Sequence, residues 1–296
     1  QTSGTAGPGF ASLNFTSKNP TQVSRTNSGR VITRNVTSQK RYDQNNVIDM
    51  LQSLEKLNVL VLGDTIVDEY HYVELLGQSS KGANLAVKYG SAEQFAGGAL
   101  AIANHVAGFA KNVTIATGLG KQNSHEEFIR SKLKENVKPV FFYFQDSPTV
   151  VKRRFVDRDL QKLFEVYFYN EEPSLENTDS EVCSWLEKYT SQFDLVIVPD
   201  FGNGFISANM IEKFCEHARF LVVNTQVNSG NRGYHSINRY PRADFVSLNG
   251  PELRVATHNR HDSYENLARG LLEKIGAKHF AVTLGSDGAL LLDQKP

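Results

Sequence analysis

The stretch that most constrains the fold lies at residues 58–70, with the sequence NVLVLGDTIVDEY. Its first four apolar residues, 59–62, are too few for a helix and include two valines, so they predict a strand buried on both faces, as in the middle of a parallel sheet. Gly63 ends the run, and Asp64 and Asp68 follow at a spacing of four residues. Ligands of open α/β sheets bind beyond the carboxyl ends of the strands, which makes these carboxylates candidate ligand contacts. An acidic surface loop is the alternative interpretation.

Length, charge and cysteine content argue against several classes of protein. The 296 residues suffice for one large α/β domain or two smaller ones. All six charged residues before Asp43 are basic, but so dilute a charge is typical of a solvated segment, and no nucleic-acid partner is predicted. Two cysteines argue against a disulfide scaffold and favour the cytoplasm. Neither a membrane-spanning apolar run nor a signal peptide is visible in the sequence, so no membrane association is predicted.

The composition changes near residue 45. Residues 1–45 are rich in Gly, Ser, Thr and Asn and show no sustained apolar period, which predicts a disordered linker or the tail of a preceding domain. Residues 46–296 are predicted to form the folded domain. The chain starts with Gln and ends on a strand-like pattern before Pro296, which indicates a fragment of a longer protein.

Further apolar runs predict an alternation of strands and helices, and therefore a parallel sheet with helices on both faces. The strands are expected at 113–118, 195–198, 220–223, 245–248 and 281–284, with helices at 124–136, 179–192, 208–218 and 263–275. Residues 140–144 and 149–156 are predicted to form an antiparallel pair, because a turn-like Asp-Ser-Pro sequence lies between them.

Most of the predicted strands are followed by glycines and polar residues. The segments are Gly63-Asp64, PDFGNG at 199–204, NTQ at 224–226, NGPE at 249–252 and GSDG at 285–288. Each alone could be an ordinary turn. Together they predict a sheet edge lined with hydrogen-bonding groups, which suits a polyhydroxylated or phosphorylated ligand. Gly97-Gly98 opens a helix of small residues, where a ligand could approach the backbone closely; a tight turn is the alternative.

Several chemistries have no signature in this sequence. It contains no P-loop, no Gly-x-Gly-x-x-Gly turn after the first strand, no zinc-ligand spacing and no Gly-x-Ser-x-Gly elbow. The order of its motifs instead resembles that of the ribokinase-like (PfkB) carbohydrate kinases, over roughly residues 55–296. The matching elements are GD at 63–64 with Asp68, GG at 97–98, TVVKRR at 149–154, DFGNG at 200–204, NGPE at 249–252 and TLGSDG at 283–288. Within the family, the chain is most similar to the kinase half of bifunctional heptose-7-phosphate kinase/ADP-heptose synthase proteins.

The resemblance implies a ribokinase-like three-layer α/β sandwich with a mostly parallel central sheet, truncated at its C-terminus. A small β lid is expected at about 69–95 and 140–170. ATP and Mg²⁺ are the implied cofactors. Substrate contacts fall on Asp64, Asp68, Gly97, Gly98, Lys152, Arg154 and Asp200. The nucleotide site falls on Asn249, Glu252, Thr283, Gly285 and Gly288, with Glu252 ordering the metal indirectly through water. For Lys152 and Arg154, exposed lid charges are the alternative interpretation.

The sequence departs from the family pattern at several positions. Ala101 stands where the family usually has Asn, Asn203 where it has Lys, and Asn224 and Gln226 where it has Asp and Lys. The family's Gly-Ala-Gly-Asp element, which carries the general base, does not occur in the 296 residues and is expected after Pro296. We therefore assign no catalytic residue here, and we expect the fragment alone to be inactive.

Three functions stay open on the sequence. The first is ATP-dependent phosphorylation of a sugar or sugar phosphate hydroxyl, like that of a heptose phosphate kinase. The second is a catalytically silent kinase-like module that binds a sugar or nucleotide and regulates an attached domain. The third is a nucleoside kinase of the same fold. The resemblance also implies a homodimer formed through the lid and a fused nucleotidyltransferase domain.

Overall fold

The computed structural model describes residues 21–25, 31–35, 43–78, 82, 84–170 and 176–294. The chain divides into two compact units, Gln1–Asp49 and Met50–Pro296. In the first unit, β1 (Thr21–Arg25) pairs antiparallel with β2 (Val31–Asn35), a local pairing that the polar composition of residues 1–45 did not predict. The rest of that predicted linker up to residue 42 lies outside the described residues.

The second unit contains two sheets and the helices that pack on them. Its strands are β3 (Asn58–Leu62), β4 (Thr65–Gln78), β5 (Leu85–Gly98), β6 (Asn112–Gly120), β7 (Val137–Phe144), β8 (Val150–Val156), β9 (Lys162–Phe168), β10 (Leu195–Asp200), β11 (Leu221–Thr225), β12 (Phe245–Asn249), β13 (His279–Thr283) and β14 (Ala289–Asp293). The helices are α1 (Gln44–Leu54, which spans the division between the units), α2 (Ala99–Val106), α3 (Glu126–Lys132), α4 (Glu176–Tyr189), α5 (Ala208–His217), α6 (Gly250–Thr257) and α7 (Tyr264–Ile275). Short 3₁₀ turns lie at Thr190–Gln192, Ile237–Arg239 and Gly285–Asp287.

The main sheet has eight strands in the order β14-β13-β12-β11-β10-β3-β6-β7. Every neighbouring pair is parallel except β13 and β14. The strand predicted at 59–62 lies inside this sheet as β3. Its alternate side chains point to opposite faces, and both faces are covered. Leu60 and Leu62 join an apolar cluster with residues of α4–α7, while Val59 and Val61 join one with residues of α2 and α3. Burying each such side chain contributes about 1.5–3 kcal/mol.

The second sheet has four strands in the order β5-β4-β8-β9. The long strands β4 and β5 pair antiparallel, β8 lies parallel to β4, and β9 lies antiparallel to β8. The predicted α/β fold with a mostly parallel central sheet and a small second sheet is therefore confirmed. Among the described residues, no helix is both long and apolar enough to cross a membrane.

One predicted strand pair is wrong. Residues 140–144 do not form a hairpin with 149–156, because β7 lies parallel to β6 at the edge of the main sheet, with Val140 opposite Ala116. Phe142 and Phe144 are buried in the main core, where both contact Phe205. The Asp-Ser-Pro sequence after β7 therefore connects the two sheets. A local turn signal does not determine which strand a neighbouring strand pairs with.

Candidate active site

The polar strand ends predicted from the sequence meet at one edge of the main sheet. Strands β3, β10, β11, β12 and β13 are parallel neighbours, so their carboxyl ends lie side by side. Asp200 is in register with Thr225, and Asn249 is in register with Thr283. This is the edge at which ligands of open α/β sheets bind.

Asp64 lies at the end of β3 but is turned into the protein. Only 2 % of the residue is exposed, and its carboxylate accepts hydrogen bonds from the backbone N–H groups of Phe201 at 3.0 Å, Phe205 at 3.2 Å and Asn203 at 3.4 Å. Burial and then the charge of Asp200 raise its pKa to about 6, against the opposing effect of these N–H groups. These hydrogen bonds tie Asp64 to the loop after β10, and its burial leaves it little exposed surface.

Asp200 is also buried, with 1 % of the residue exposed. One carboxylate oxygen accepts hydrogen bonds from Arg239 at 3.0 Å and from the hydroxyl of Tyr240 at 2.7 Å, and the other accepts the Gly202 N–H at 2.9 Å. Burial, and then the charge and hydrogen bond of Asp200, raise the pKa of Tyr240 well above its ordinary value. The sequence analysis did not identify Arg239 or Tyr240 as site residues, because neither lies in a recognisable motif.

Asp68 on β4 and Gly97 on β5 are diagonal neighbours, since Gly97 is in register with Ile66 and Asp68 with Phe95. A Cβ added at Gly97 would lie 2.0 Å from Oδ2 of Asp68, so only glycine leaves room for this carboxylate. Gly98 has φ +58, a conformation that favours glycine, and a Cβ there would lie 2.4 Å from the Asp64 carbonyl oxygen. Ala99, the first residue of α2, donates its N–H to the same oxygen at 2.9 Å. These contacts join the second sheet to the end of β3.

Asp68 lies in a cleft of about 340 Å³ that is also lined by Tyr70, Tyr72 and Phe95. We call this the Asp68 cleft. The side chain of Asp68 is 23 % exposed and forms an ion pair with Arg154, which is 19 % exposed. Of the predicted sugar-binding carboxylates, Asp68 therefore has access to a ligand, whereas Asp64 and Asp200 are buried.

Lys152 and Arg154 lie on β8, in register with Asp68 and Tyr70 of β4. Lys152 is only 5 % exposed, and its ammonium lies 5.3 Å from the ring centroid of Tyr167. Burial lowers the pKa of Lys152, an effect that the charges of Asp64 and Asp68 oppose. Within the part of the chain that the structure describes, this ammonium has no hydrogen-bond acceptor. Neither residue is the freely exposed lid charge of the alternative interpretation.

Asn249 and Glu252 form a capping box at the start of α6. Asn249 Oδ1 accepts the Glu252 N–H at 2.8 Å, and Glu252 Oε2 accepts the Asn249 N–H at 2.8 Å. Glu252 Oε1 accepts the N–H of Val227 from the neighbouring loop at 3.3 Å. Burial raises the pKa of Glu252. Because both carboxylate oxygens are engaged, this residue suits an indirect role toward a metal better than direct ligation.

Thr283 is exposed at the end of β13, beside Asn249. Gly285 and Gly288 follow it with φ +60 and +93, and a Cβ at either would meet nothing within 4 Å. The turn therefore presents an open surface that can adjoin a bound nucleotide. Among the described residues, no group of three or more His, Cys, Asp or Glu side chains could hold a metal ion.

Residues 227–231 of the loop after β11 were not predicted as part of the site, although NTQ at 224–226 was. Asn231 Nδ2 donates to the carbonyl oxygens of Phe201 at 3.0 Å and Gln226 at 2.6 Å, and Asn228 Nδ2 donates to the Phe201 carbonyl at 2.8 Å. These bonds fix the loops after β10 and β11 to each other. The sequence NSGN at 228–231 is typical of a turn, and this was the available sequence signal for the loop.

Comparison with known proteins agrees with this arrangement. Residues 56–295 match the pfkB family of carbohydrate kinases. The bifunctional protein HldE of Shewanella sp. strain ANA-3 is 28 % identical over 247 residues, which cover 82 % of this chain and 50 % of the relative. HldE of Vibrio cholerae is 26 % identical over 247 residues, with the same coverage of 82 % and 50 %. The chain thus spans about half the length of the curated relatives it matches.

Two solved structures share the fold. Phosphofructokinase-2 from Escherichia coli in complex with substrates and products superposes with a TM-score of 0.61 at 15 % identity, covering 81 % of this chain and 77 % of that one. Ribokinase from Thermotoga maritima gives 0.60 at 17 % identity, covering 81 % and 76 %. With the family match over residues 56–295, these results lead to one conclusion: the chain belongs to the PfkB family of carbohydrate kinases.

Proposed function

We propose that the intact protein transfers the γ-phosphoryl group of ATP to a hydroxyl of a sugar or sugar phosphate, as a heptose phosphate kinase does. The observation that carries the proposal is the contact between Asp68 and Gly97 in the second sheet. It leaves a partly exposed carboxylate beside glycine backbone, which is a surface suited to a polyhydroxylated ligand. The similarity to bifunctional HldE proteins supports the heptose phosphate as the substrate to test first.

The substrate half of the site comprises the Asp68 cleft, Gly97, Gly98, Lys152 and Arg154. The buried acids Asp64 and Asp200 act on this half through the loop after β10. The domain is proposed to be residues 46–296, with a lid made by the second sheet. The lid expected from the sequence, about 69–95 and 140–170, overlaps this sheet in part.

The nucleotide half comprises Asn249, Glu252, Thr283, Gly285 and Gly288, with ATP and Mg²⁺ as cofactors. The exposed Thr283 and the open turn at Gly285 and Gly288 fit an ATP contact. The engaged carboxylate of Glu252 fits the ordering of metal-bound water. When bound, the metal supplies charge stabilisation to the transferring phosphoryl group. The chain's own residues bind and orient the two substrates.

The general base is proposed to come from a Gly-Ala-Gly-Asp element, which these 296 residues do not contain. The carboxylates of Asp64, Asp68 and Asp200 are each engaged by other groups of the protein. We therefore propose that the 296-residue chain alone does not phosphorylate sugars.

A second candidate is a catalytically silent module that binds a sugar or nucleotide. Asn224, where the family usually has Asp, donates its side-chain amide to the carbonyl of Ser247 at 2.8 Å. The amide nitrogen of Asn203, where the family usually has Lys, is buried without an acceptor among the described residues. These positions therefore lack the charges that the family's kinases place there. A nucleoside kinase of the same fold is the third candidate.

The intact protein is also proposed to be cytoplasmic, to carry a fused nucleotidyltransferase domain and to form a homodimer through the second sheet. The dimer is supported by three exposed apolar side chains that alternate along β9, namely Phe164, Val166 and Phe168. We propose neither a nucleic-acid partner nor membrane association for the protein.

ATP-dependent ADP release by the full-length protein tests the kinase proposal, with sugars, sugar phosphates and nucleosides as substrates. Turnover of a sugar or sugar phosphate supports it. Binding of a sugar or nucleotide in a thermal-shift panel without turnover supports the silent module instead. Turnover of nucleosides alone supports the third candidate.

A further inference from the structure

Two cations of β8, Lys152 and Arg154, reach the same face of the second sheet as Asp68, but their surroundings differ. Arg154 Nη1 is paired with Oδ1 of Asp68, and its Nε lies 4.0 Å from Glu165 Oε2. Its guanidinium also lies 5.4 Å from the ring centroid of Tyr70. Arg154 is thus held on three sides by protein groups.

The pair with Arg154 also fixes the orientation of Asp68. One carboxylate oxygen is bound by the guanidinium, and the other lies against the backbone at Gly97, where a Cβ would approach it to 2.0 Å. Charge-assisted pairs with Arg are strong and directional. A carboxylate held in this way presents its remaining lone pairs to the Asp68 cleft in one orientation, which is what recognition of sugar hydroxyls requires.

Unlike Arg154, Lys152 forms no ion pair among the described residues. It is 5 % exposed, and its described neighbours around the ammonium are an aromatic ring and charges that form no hydrogen bond with it. Among the described residues no carboxylate pairs with it, but the ammonium nitrogen is not fully enclosed, so solvent can reach it.

We propose that Arg154 is a positioning residue that acts through Asp68 and does not itself contact the substrate. The assignment rests on the proposed kinase function and separates two residues that the sequence grouped together. It differs from the expectation that Arg154, like Lys152, contacts the substrate.

A double-mutant cycle in the full-length protein tests the division. Arg154→Met is expected to raise the KM for the sugar substrate about tenfold or more, with little change in kcat, because a ground-state contact is lost. In an Asp68→Asn background the same substitution is expected to change KM less than about twofold, since residues that act through one another are not additive.

Arg153→Met is the matched control. Arg153 is the next residue on β8, points to the opposite face, and pairs with Glu69 at 2.6 Å. Its loss is expected to lower the unfolding temperature without changing KM. An equal effect of Arg154→Met in both backgrounds would show that Arg154 contacts the substrate directly and would overturn the proposal.

Ligand-free crystal structures of the wild type and Arg154→Met test the positioning role without any turnover. The proposal requires the Asp68 side chain to change rotamer or lose order in the variant, and an unmoved carboxylate contradicts it. If the wild type phosphorylates no member of the substrate panel, the kinase proposal fails while this structural comparison still decides whether Arg154 positions Asp68.

Discussion

Asp64 and Asp200 are neighbouring buried carboxylates at the ends of β3 and β10, yet they are stabilised by different partners. Arg239 supplies a positive charge to Asp200, whereas the donors that Asp64 meets among the described residues are backbone N–H groups. Burial, and then the charge of Asp200, raise the pKa of Asp64 to about 6.

The raised pKa of Asp64 predicts a pH-dependent stability. The folded carboxyl binds a proton up to about pH 6, while the unfolded one, with its ordinary pKa of 3.8, has lost it. Raising the pH through this window therefore lowers the free energy of unfolding, by on the order of 3 kcal/mol. We expect the difference in unfolding free energy between the wild type and Asp64→Asn to fall as pH rises from about 4 to about 6. Urea denaturation at several pH values measures it, and a constant or rising difference contradicts the assignment.

Removing the charge partner of Asp200 is expected to be more damaging than removing a surface pair. Arg239→Met leaves a carboxylate with 1 % exposure unpaired and should lower the free energy of unfolding by about 3–5 kcal/mol. Adding Asp200→Asn should restore part of this loss, because the buried charge is then absent. Arg219→Met is the control, since the pair of Arg219 with Asp194 is exposed and is worth about 1 kcal/mol or less. Urea denaturation measures both variants, and an equal loss of unfolding free energy in Arg239→Met and Arg219→Met would argue against the buried ion pair.

The sequence predicted the strand ends of the site but not the orientation of their side chains. The apolar run at 59–62 and the polar segment after it indicate where β3 ends, and local periodicity is enough for that. Whether Asp200 faces a ligand depends on Arg239, a residue 39 positions away with no motif around it. Such long-range pairing has no local signal.

Other features were present in the sequence but admitted two interpretations. The spacing of Asn249 and Glu252 fits both a family motif and a capping box, and the structure forms the capping box. The β7 strand was recognised as a strand, but its partner was wrong because its phenylalanines fit the main core as well as a hairpin. The close approach of Asp68 to Gly97 was not predicted, because it depends on how β4 and β5 pair.

Gly97→Ala is expected to disrupt the Asp68 cleft. The new methyl group would lie 2.0 Å from Asp68 Oδ2, so the carboxylate must move away from its position. We expect the KM of the full-length protein for its sugar substrate to rise about tenfold or more, because an oriented hydrogen-bonding group is lost. Gly270→Ala, inside α7 with nothing within 4 Å of the new Cβ, is the control. It should leave KM unchanged and stabilise the fold by about 0.5–1 kcal/mol, and an unchanged KM in Gly97→Ala would contradict the predicted displacement.

Glu252 is expected to affect both the fold and the nucleotide. Glu252→Gln replaces one of two acceptor oxygens with an N–H donor, so one of the bonds to Asn249 or Val227 is lost. The free energy of unfolding should fall by about 1–2 kcal/mol. If Glu252 also orders metal-bound water, the thermal shift caused by ATP with Mg²⁺ should fall more than the shift caused by ATP alone. Thr257→Val, which removes a hydroxyl bond to Leu253 at 2.8 Å inside the same helix, controls for a general weakening of α6. An equal fall of both shifts would leave Glu252 as a helix cap without a metal-linked role.

The proposed dimer is expected to depend on β9. This strand forms an edge of the second sheet, and Phe164, Val166 and Phe168 are 39 %, 38 % and 40 % exposed along it. Alternate residues share one face of a strand, so the three side chains form a continuous apolar strip that a second copy could cover. Val166→Lys places a charge in the middle of the strip and should raise the dimer dissociation constant at least about tenfold in sedimentation velocity. Leu291→Lys is the control, because Leu291 is 71 % exposed on β14 of the main sheet, and it should leave the dissociation constant unchanged. A wild-type protein that sediments as a monomer throughout the micromolar range, or equal effects of the two substitutions, would contradict a dimer through this strip.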